Sequence, residues 1–600
     1  MTITNKPSPA TTADGTSSPR FLPALLILIL LALCLLGIVD HDLWTADEPR
    51  VACLSHTMFQ THEWAVPRLA GEIFIEKPPL YFWLCGATGR LLEPLFGFVG
   101  AARLSVSLCA IGTIAATAWL GFLLWGRRRA AWASALVLGV MPQFLIEMHW
   151  MRVDVLLAFC VVASVAFLVL AYRHCKPWAL LPAGIFAAGA FLSKGPIGWI
   201  LIGVGAVGLV LPALLASSSS TKDSGKPSPG PACWISAHLF AIFLCLFLAG
   251  LWVWKIWIRD DPSAWNAWFW DNQIGRTTGT AGALGHHHPW NVFYYVNLLP
   301  IVLGPWIPFL LVWFFRRAAD AWKARRSLRA HLDSPTFFIA MWGLGDILLL
   351  TIPSTKRGLY LLPLFPAFAL MVVDAFHMLS ARPLPKFFRV WTGIWEMLIA
   401  LAAVALLLVP VVGRYFFDIP VLVHWNSYYT FSLVVCLLAA FFACRYRARL
   451  SIPLRLFFAN AFLWMLIYGV PFQAIDAGKS MRDATLRMAD ALPSSPDARA
   501  RIAAYHLDET TRAALEFYAG IVLPRLPVAS DFNGAPLREE SQPMIARILK
   551  NQHPDFSGVL AFARRDTDKI WPADSERICV HLSKKRHLYY LTPAPADAEP

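Results

Sequence analysis

Charge is what this 600-residue chain has least of: Asp, Glu, Lys and Arg make up 15% of it. A soluble domain carries about 25%, and with 57% of the residues hydrophobic the deficit excludes a wholly water-soluble globular protein. Cysteine is also sparse. There are 11, and Cys34, Cys109, Cys160, Cys245 and Cys436 stand inside apolar runs. So placed they read as small core residues, which excludes a disulfide framework or a zinc finger. Acidic residues are fewer than basic ones, 38 against 52, for a formal net charge of +14. The excess does not signal nucleic acid, because the cations stand in short clusters between hydrophobic segments, where they set orientation and touch anionic lipid. The first apolar run, residues 21–39, lacks a small-residue cleavage site before Asp40-His41-Asp42. It reads as a retained anchor rather than a signal peptide.

What the chain has in abundance is apolar runs near the roughly 20 residues that span a bilayer. Spans are expected near 21–39, 100–125, 132–148, 155–172, 178–192, 197–214, 236–257, 293–315, 335–352, 359–379, 390–411, 428–445 and 453–472. That makes a polytopic α-helical membrane protein of about thirteen transmembrane helices. The stretch 78–97 holds Pro78, Pro79, Arg90, Glu93 and Pro94, and an interfacial segment is expected there. Residues 1–20 read as a disordered tail, 21–475 as the membrane domain and 476–600 as a soluble domain. In that last part a strand is expected within 498–505, a helix over 510–519, and strands over 577–582 and 588–591, giving a small α/β fold.

Alternate loops carry the cations: Arg127 to Arg129, Arg173 and Lys176, Lys222 and Lys226, Arg316 to Arg329, Arg382 to Arg389, and Arg445 to Arg455. By the positive-inside rule those loops, and the N-terminus, are cytoplasmic. The opposite loops collect the unusual chemistry, and their convergence on one face played no part in placing the spans.

Asp47-Glu48 stands in the first outer loop, 40–99. A carboxylate there can take a proton from an incoming hydroxyl; the plain alternative is a solvated acidic loop. Asp154, at the mouth of two spans, is the second carboxylate, and ionisable groups so placed tend to be functional. Lys77 beside Pro78-Pro79, Lys194 in Ser193-Lys-Gly-Pro196, and Lys356-Arg357 before Gly358 are cations in tight outer turns. Each suits a phosphate oxygen, or a phospholipid headgroup. The outer loop 258–292 adds Trp268, Trp270, Asn272 and Arg276, then His286-His287-His288. Its aromatic and amide groups suit a sugar or a prenyl chain, and also an interfacial aromatic belt. The three His residues, with Glu76, are candidate ligands for a divalent metal, or simply a polar loop.

Asp47-Glu-Pro-Arg50, Glu76-Lys-Pro-Pro-Leu-Tyr81, Arg152-Val-Asp154, Ser193-Lys-Gly195, His288-Pro-Trp290 with Tyr294-Tyr295 and Pro305-Trp306, and Thr355-Lys-Arg-Gly-Leu-Tyr360 follow one another in order. Together they resemble the protein O-mannosyltransferase superfamily of GT-C glycosyltransferases, in particular its bacterial branch of aminoarabinose transferases that modify lipid A. Val51 stands where that family often has Tyr. The resemblance implies a polyprenyl-phosphate sugar donor and an active site on the non-cytoplasmic face. It implies Asp47 as the catalytic base, Asp154 as the second acid with Glu48 beside the base, and Arg50, Lys77, Lys194, Arg276, Lys356 and Arg357 around the donor phosphate.

The expectation is therefore an inverting transferase in a bacterial inner membrane, monomeric, with no nucleic-acid partner. It moves a sugar to lipid A or another envelope acceptor, with Tyr81, Trp270, Asn272 and Tyr360 touching substrate. Zinc or manganese, held by Glu76 and His286 to His288, is the candidate cofactor. The alternatives are a protein O-mannosyltransferase-like enzyme and a lipid-linked-sugar flippase; a flippase would place its charges nearer the bilayer midplane.

Overall fold

The computed structural model describes residues 22–39, 41–44, 47–215, 230–258, 262–278, 291–323, 334–380, 384–416, 425–469, 476, 480–505, 507–525, 558–564, 577–583 and 586–591. Helix occupies every segment expected to span. The order is α1 (Leu22–Leu35), α2 (Asp47–Thr61), α3 (Leu80–Trp125), α4 (Arg128–Gly139), α5 (Pro142–Glu147), α6 (Val153–Arg173), α7 (Leu180–Lys194), α8 (Ile197–Leu215) and α9 (Pro231–Trp257). It continues with α10 (Tyr294–Leu303), α11 (Ile307–Lys323), α12 (Pro335–Thr351), α13 (Phe365–Leu379), α14 (Lys386–Phe416), α15 (Trp425–Tyr446) and α16 (Ile452–Gly469). Among the described residues six helical stretches are long and apolar enough to cross a membrane, and five more are shorter apolar helices. The chain is an integral membrane protein.

Three expected segments differ in detail. The interfacial stretch 78–97 is helical from Leu80 and is set off from the next span by a kink at Gly97, whose φ of 65° is open to glycine at little cost. Leu91, Leu95 and Phe96 are exposed on it. The segment 132–148 is two helices, because Val140 leaves helical geometry and Pro142 restarts it. The segment 359–379 begins as a 3-10 turn, Gly358–Leu364, before α13.

The core is built on α6, whose run VDVLLAFCVVASVAF is buried almost throughout. It packs against α3, α7 and α8, and the 3-10 turn lies against it. Apolar side chains all round are what a helix at the centre of a membrane bundle needs. At its start Asp154 occupies the first turn; antiparallel to it, α7 ends on Lys194. Each charge complements its own helix dipole, and the two meet at one end of the bundle.

Beyond residue 476 the described chain forms α17 (Arg482–Ala491), α18 (Glu509–Ala519) and four strands. These are β1 (Ile502–Tyr505), β2 (Gly558–Arg564), β3 (Arg577–Ser583) and β4 (Arg586–Leu591), in sheet order β1-β2-β4-β3. β1 and β2 are parallel and the other pairs antiparallel. Strand β2 was not expected from the sequence: its Gly558 and two alanines are weak strand formers. Helix α18 docks on α2 and thereby reaches the end of the bundle where Asp154 and Lys194 meet.

Candidate active site

The first outer loop is fixed before any ligand is considered. Glu48 and Arg103 form an ion pair at 2.9 Å with both side chains 0% exposed. Arg103 also donates to the carbonyls of Ile38, His41 and Asp42, at 3.2, 2.6 and 2.6 Å. Glu48 accepts from the backbone N–H groups of Trp44 and Met151, at 3.3 and 3.2 Å. The pair therefore ties the loop to α3 and to the turn before α6. Glu48, expected among the catalytic residues, does not line the cavity. Successive residues on a helix point about 100° apart, so Asp47 and Glu48 cannot both face it.

Asp47 does face it. A cavity of about 470 Å³ opens among Asp47, Arg50, Phe74, Glu76, Lys77, Arg152, Asp154, Lys194, Asn272, Gln273, Thr277, Thr355, Arg357, Tyr360 and Glu509, with Leu157, Leu201 and Leu350 among its apolar lining residues. Asp47 accepts from Arg50 Nη2 at 2.6 Å and pairs with Arg152 Nε at 3.2 Å and Arg357 Nη2 at 3.5 Å. Burial pulls its pKa upward, yet the cations of Lys77, Arg152, Arg50 and Arg357 outweigh that pull. They hold the carboxyl well below the usual carboxylate range. Arg50 bridges further, donating from Nη1 to Glu509 Oε2 at 2.5 Å.

Across the cavity Lys194 donates to Asp154, and its ammonium lies 3.9 Å from the centre of the Tyr360 ring, a cation–π contact. Gly195 ends α7 with φ of +79°, and a Cβ there would come within 2.9 Å of Gln273 Oε1. Only glycine suits that turn. Asn272 stands in a π-helical stretch, Asn266–Gly275, a form frequent at functional sites. Its Nδ2 donates to Ala267 O at 2.7 Å, and among the described residues its buried Oδ1 has no hydrogen-bond partner.

Of the expected site residues, Asp47, Arg50, Glu76, Lys77, Asp154, Lys194, Asn272, Arg357 and Tyr360 line this one cavity. Four others do not. Lys356 is buried and donates to Pro353 O at 2.8 Å, because in extended backbone it and Arg357 alternate sides. Tyr81 is fully buried away from the cavity, and Trp270 is 55% exposed outside it. The backbone of Arg276 adjoins Thr277, a lining residue; its side chain lies outside the described set. His286, His287 and His288 lie outside the described residues altogether, and among those described no group of three His, Cys, Asp or Glu side chains could hold a metal. Among the polar lining residues, Arg152 and Thr355, although each sits in a quoted motif, Gln273, Thr277 and Glu509 were not picked out from sequence. Glu509 carried no signal at all beyond opening an amphipathic helix.

No protein-family model matches the chain. Over 366 residues it is 27% identical to the undecaprenyl phosphate-alpha-4-amino-4-deoxy-L-arabinose arabinosyl transferase 2 of Pseudomonas fluorescens, covering 59% of each. A transferase of the same description from Pseudomonas aeruginosa is 27% identical over 353 residues, 57% of each. The chain thus spans under two thirds of the length of these relatives. The structure of ArnT from Cupriavidus metallidurans bound to undecaprenyl phosphate superposes with a TM-score of 0.65 and 21% identity, covering 97% of this chain and all of that one. The Archaeoglobus fulgidus oligosaccharyltransferase gives 0.50 and 12%, covering 91% and 70%. This is the GT-C fold. In this chain the cavity sits where the helix bundle, the first outer loop and α18 meet.

Proposed function

We propose that the chain is an inverting membrane glycosyltransferase that moves a sugar from a polyprenyl-phosphate donor to an envelope acceptor. The reading favoured within that class is an aminoarabinose transferase acting on lipid A or a lipid A-like acceptor. One observation carries the proposal: five cations, Arg50, Lys77, Arg152, Lys194 and Arg357, line the same cavity as Asp47 and Asp154. Such a cavity suits an anionic lipid headgroup joined to a sugar, because the cations match phosphate oxygens and the carboxylates match hydroxyls or an amine. The similarity to the arabinosyl transferases supports the same donor class.

In the proposed reaction the acceptor oxygen attacks the anomeric carbon while the bond to the donor phosphate oxygen breaks and configuration inverts. The polyprenyl phosphate leaves with the bonding electron pair. Arg50 and Lys77 stabilise the charge that gathers on it, with Arg357 beside them; such preorganised cations act on the transition state at little reorganisation cost. Asp47 orients the acceptor and receives its proton where the acceptor is a hydroxyl. While four cations surround it Asp47 is a weak base. Once the donor phosphate draws Arg50 and Lys77 to itself, the carboxylate regains proton affinity. Binding of the donor thereby prepares the base.

Asp154, fixed by Lys194, and the open Oδ1 of Asn272 are placed to accept from sugar hydroxyls or an amino group. Burial of the prenyl chain contributes about 0.8 kcal/mol per CH₂. A metal at Glu76 and His286 to His288 remains a proposal, in which it would lend positive charge to the phosphate side. The cytoplasmic N-terminus, the inner-membrane location and the monomeric state belong to the same reading.

The test is direct. Purified protein is given undecaprenyl phosphate-linked aminoarabinose or mannose with lipid A as acceptor, and products are identified by mass spectrometry. Transfer of aminoarabinose to lipid A is expected. Undecaprenyl phosphate that neither binds nor is released under any of these conditions would sink the proposal.

A further inference from the structure

Arg152 stands between two carboxylates, and only one of them lines the cavity. Its Nη1 donates to Glu147 Oε2 at 2.5 Å, whereas its Nε lies 3.2 Å from Asp47 Oδ2, close enough for an ion pair but not aligned as a hydrogen bond. Glu147 is 2% exposed and sits behind the cavity wall. A buried carboxylate that does not line the cavity calls for an account, since burying a charge is costly unless it is paired.

Its surroundings fix it firmly. Glu147 ends α5, and Gln143, one turn earlier on the same face, donates from Nε2 to Glu147 Oε1 at 2.6 Å. The helix itself is clamped by the last apolar helix of the bundle: the Tyr468 hydroxyl donates to Leu145 O at 2.6 Å, and the Tyr468 ring stacks on His149 at 3.7 Å. Both oxygens of Glu147 are thus engaged, one by Gln143 and one by Arg152. The guanidinium is drawn toward Glu147 by the shorter, better aligned contact.

We propose that Glu147 is a positioning residue that acts through Arg152, holding the guanidinium back from Asp47 so that one face of the Asp47 carboxylate stays available to the acceptor. Without the charge of Glu147, Arg152 closes on Asp47 as a two-point pair, the arrangement guanidinium and carboxylate favour. Asp47 is then both blocked and still weaker as a base. The inference rests on the function proposed above and adds a residue that neither the motifs nor the cavity lining contains.

A double-mutant cycle on the full-length protein in detergent or nanodiscs tests it, with transfer from undecaprenyl phosphate-linked aminoarabinose to lipid A as readout. Glu147→Gln keeps the size and one acceptor oxygen for Arg152 and removes the charge. It is expected to lower kcat about tenfold, within the range of coupling between contacting side chains, with the donor KM within about twofold of wild type. In an Arg152→Gln background, itself impaired, adding Glu147→Gln is expected to change nothing further. Glu147→Asp, which keeps the charge, is expected to recover part of the rate. Multiplicative losses in the double variant, or a fall in donor binding that parallels the loss of rate, would overturn the inference, for then Glu147 serves structure alone. If Glu147→Gln does not fold, Glu147→Asp takes its place in the same cycle: a loss of rate on Glu147→Asp that vanishes in the Arg152→Gln background supports the inference, and one that persists there overturns it. Absence of transfer by wild type would overturn the function and this inference with it, whereas wild-type transfer with multiplicative losses overturns only the inference.

Discussion

Glu509 and Arg50, 459 positions apart in sequence, meet at 2.5 Å on the wall of the cavity. Helix α18 is pinned there by more than that contact. Glu516, two turns on, accepts from Cys53 Sγ at 3.0 Å, Thr57 Oγ1 at 3.2 Å and Ala70 N at 2.6 Å. Arg512 pairs with Glu72 at 2.9 Å, and the hydroxyl of Tyr518 donates to Asp42. The segment after residue 476 is therefore part of the site, placing a carboxylate on the arginine proposed to meet the donor phosphate.

Glu509→Gln is accordingly expected to leave the protein folded and to lower its transfer rate. The Glu509 side chain is 36% exposed, so losing the pair costs stability about 1 kcal/mol or less. Arg50, released from one of its anchors, loses its aim, and kcat/KM should fall about tenfold or more. Rates equal to wild type, with an unchanged melting temperature, would show the contact to be incidental.

Adjacent carboxylates should fail in opposite ways. Glu48→Gln leaves Arg103 buried without its counter-charge, and breaking a buried pair costs about 3 kcal/mol or more. Its thermal midpoint should drop sharply, while whatever folds keeps a near-normal rate per folded molecule. Asp47→Asn should lose transfer by at least about a hundredfold per folded molecule, with a smaller drop in thermal midpoint than Glu48→Gln, since Asp47 lines the cavity and Glu48 is fully buried. Scanning calorimetry or a thermal-shift assay beside single-turnover kinetics separates the two. Equal loss of rate per folded molecule in both variants would contradict the division of roles.

That division also marks what the sequence could and could not reveal. Helical segments were legible because a span must be apolar over a length the bilayer sets. The outer-loop cations were legible because charge at the mouth of a span is costly and so must have a partner. Face was not legible at that level. Glu48, Lys356 and Tyr81 each sit within a few positions of a lining residue and point elsewhere, a matter of about 100° on a helix or one step along extended chain. Nor were Glu509 and Glu147 legible: the first reaches the site through tertiary docking alone, and the second stands behind it. The break at Val140 was hidden by the largely apolar run that precedes it.

The pH dependence follows from the same cluster of charges. Asp47 has its pKa depressed by the cations around it, so its folded-state contacts stabilise the protein fully above the unfolded value of about 4. That contribution disappears only as pH falls through the lower folded value. No loss of melting temperature from this group is expected between about pH 8 and about pH 5, with a decline starting below about pH 4. In kinetics the acid limb of kcat/KM, which reports free enzyme, should lie below the ordinary carboxylate range. The acid limb of kcat, which reports the donor complex, should lie higher, because the phosphate then draws Arg50 and Lys77 away. Coincident limbs would mean that donor binding does not alter the base.

Cysteine reactivity offers a test of orientation that needs no substrate. Cys175 and Cys233 are exposed, each beside a loop whose cations are expected to face the cytoplasm; Cys53 is buried in α2. Burial, reinforced by the Glu516 carboxylate, pushes the Cys53 thiol well above the usual thiol range, so little reactive thiolate forms at neutral pH. Variants keeping only one of these three cysteines are treated with a membrane-impermeant maleimide at about pH 7.5, near which a free thiol reacts slowly but measurably. Cys175 and Cys233 should react in inverted membrane vesicles and stay silent in right-side-out vesicles, and Cys53 should stay silent in both. Labelling of Cys175 from the outer side would reverse the topology and move the cavity to the cytoplasmic face, where the acceptor proposed here is not presented. Labelling of Cys53 from outside would instead show that α18 lifts from α2, which would make the Glu509–Arg50 contact one state of a moving wall.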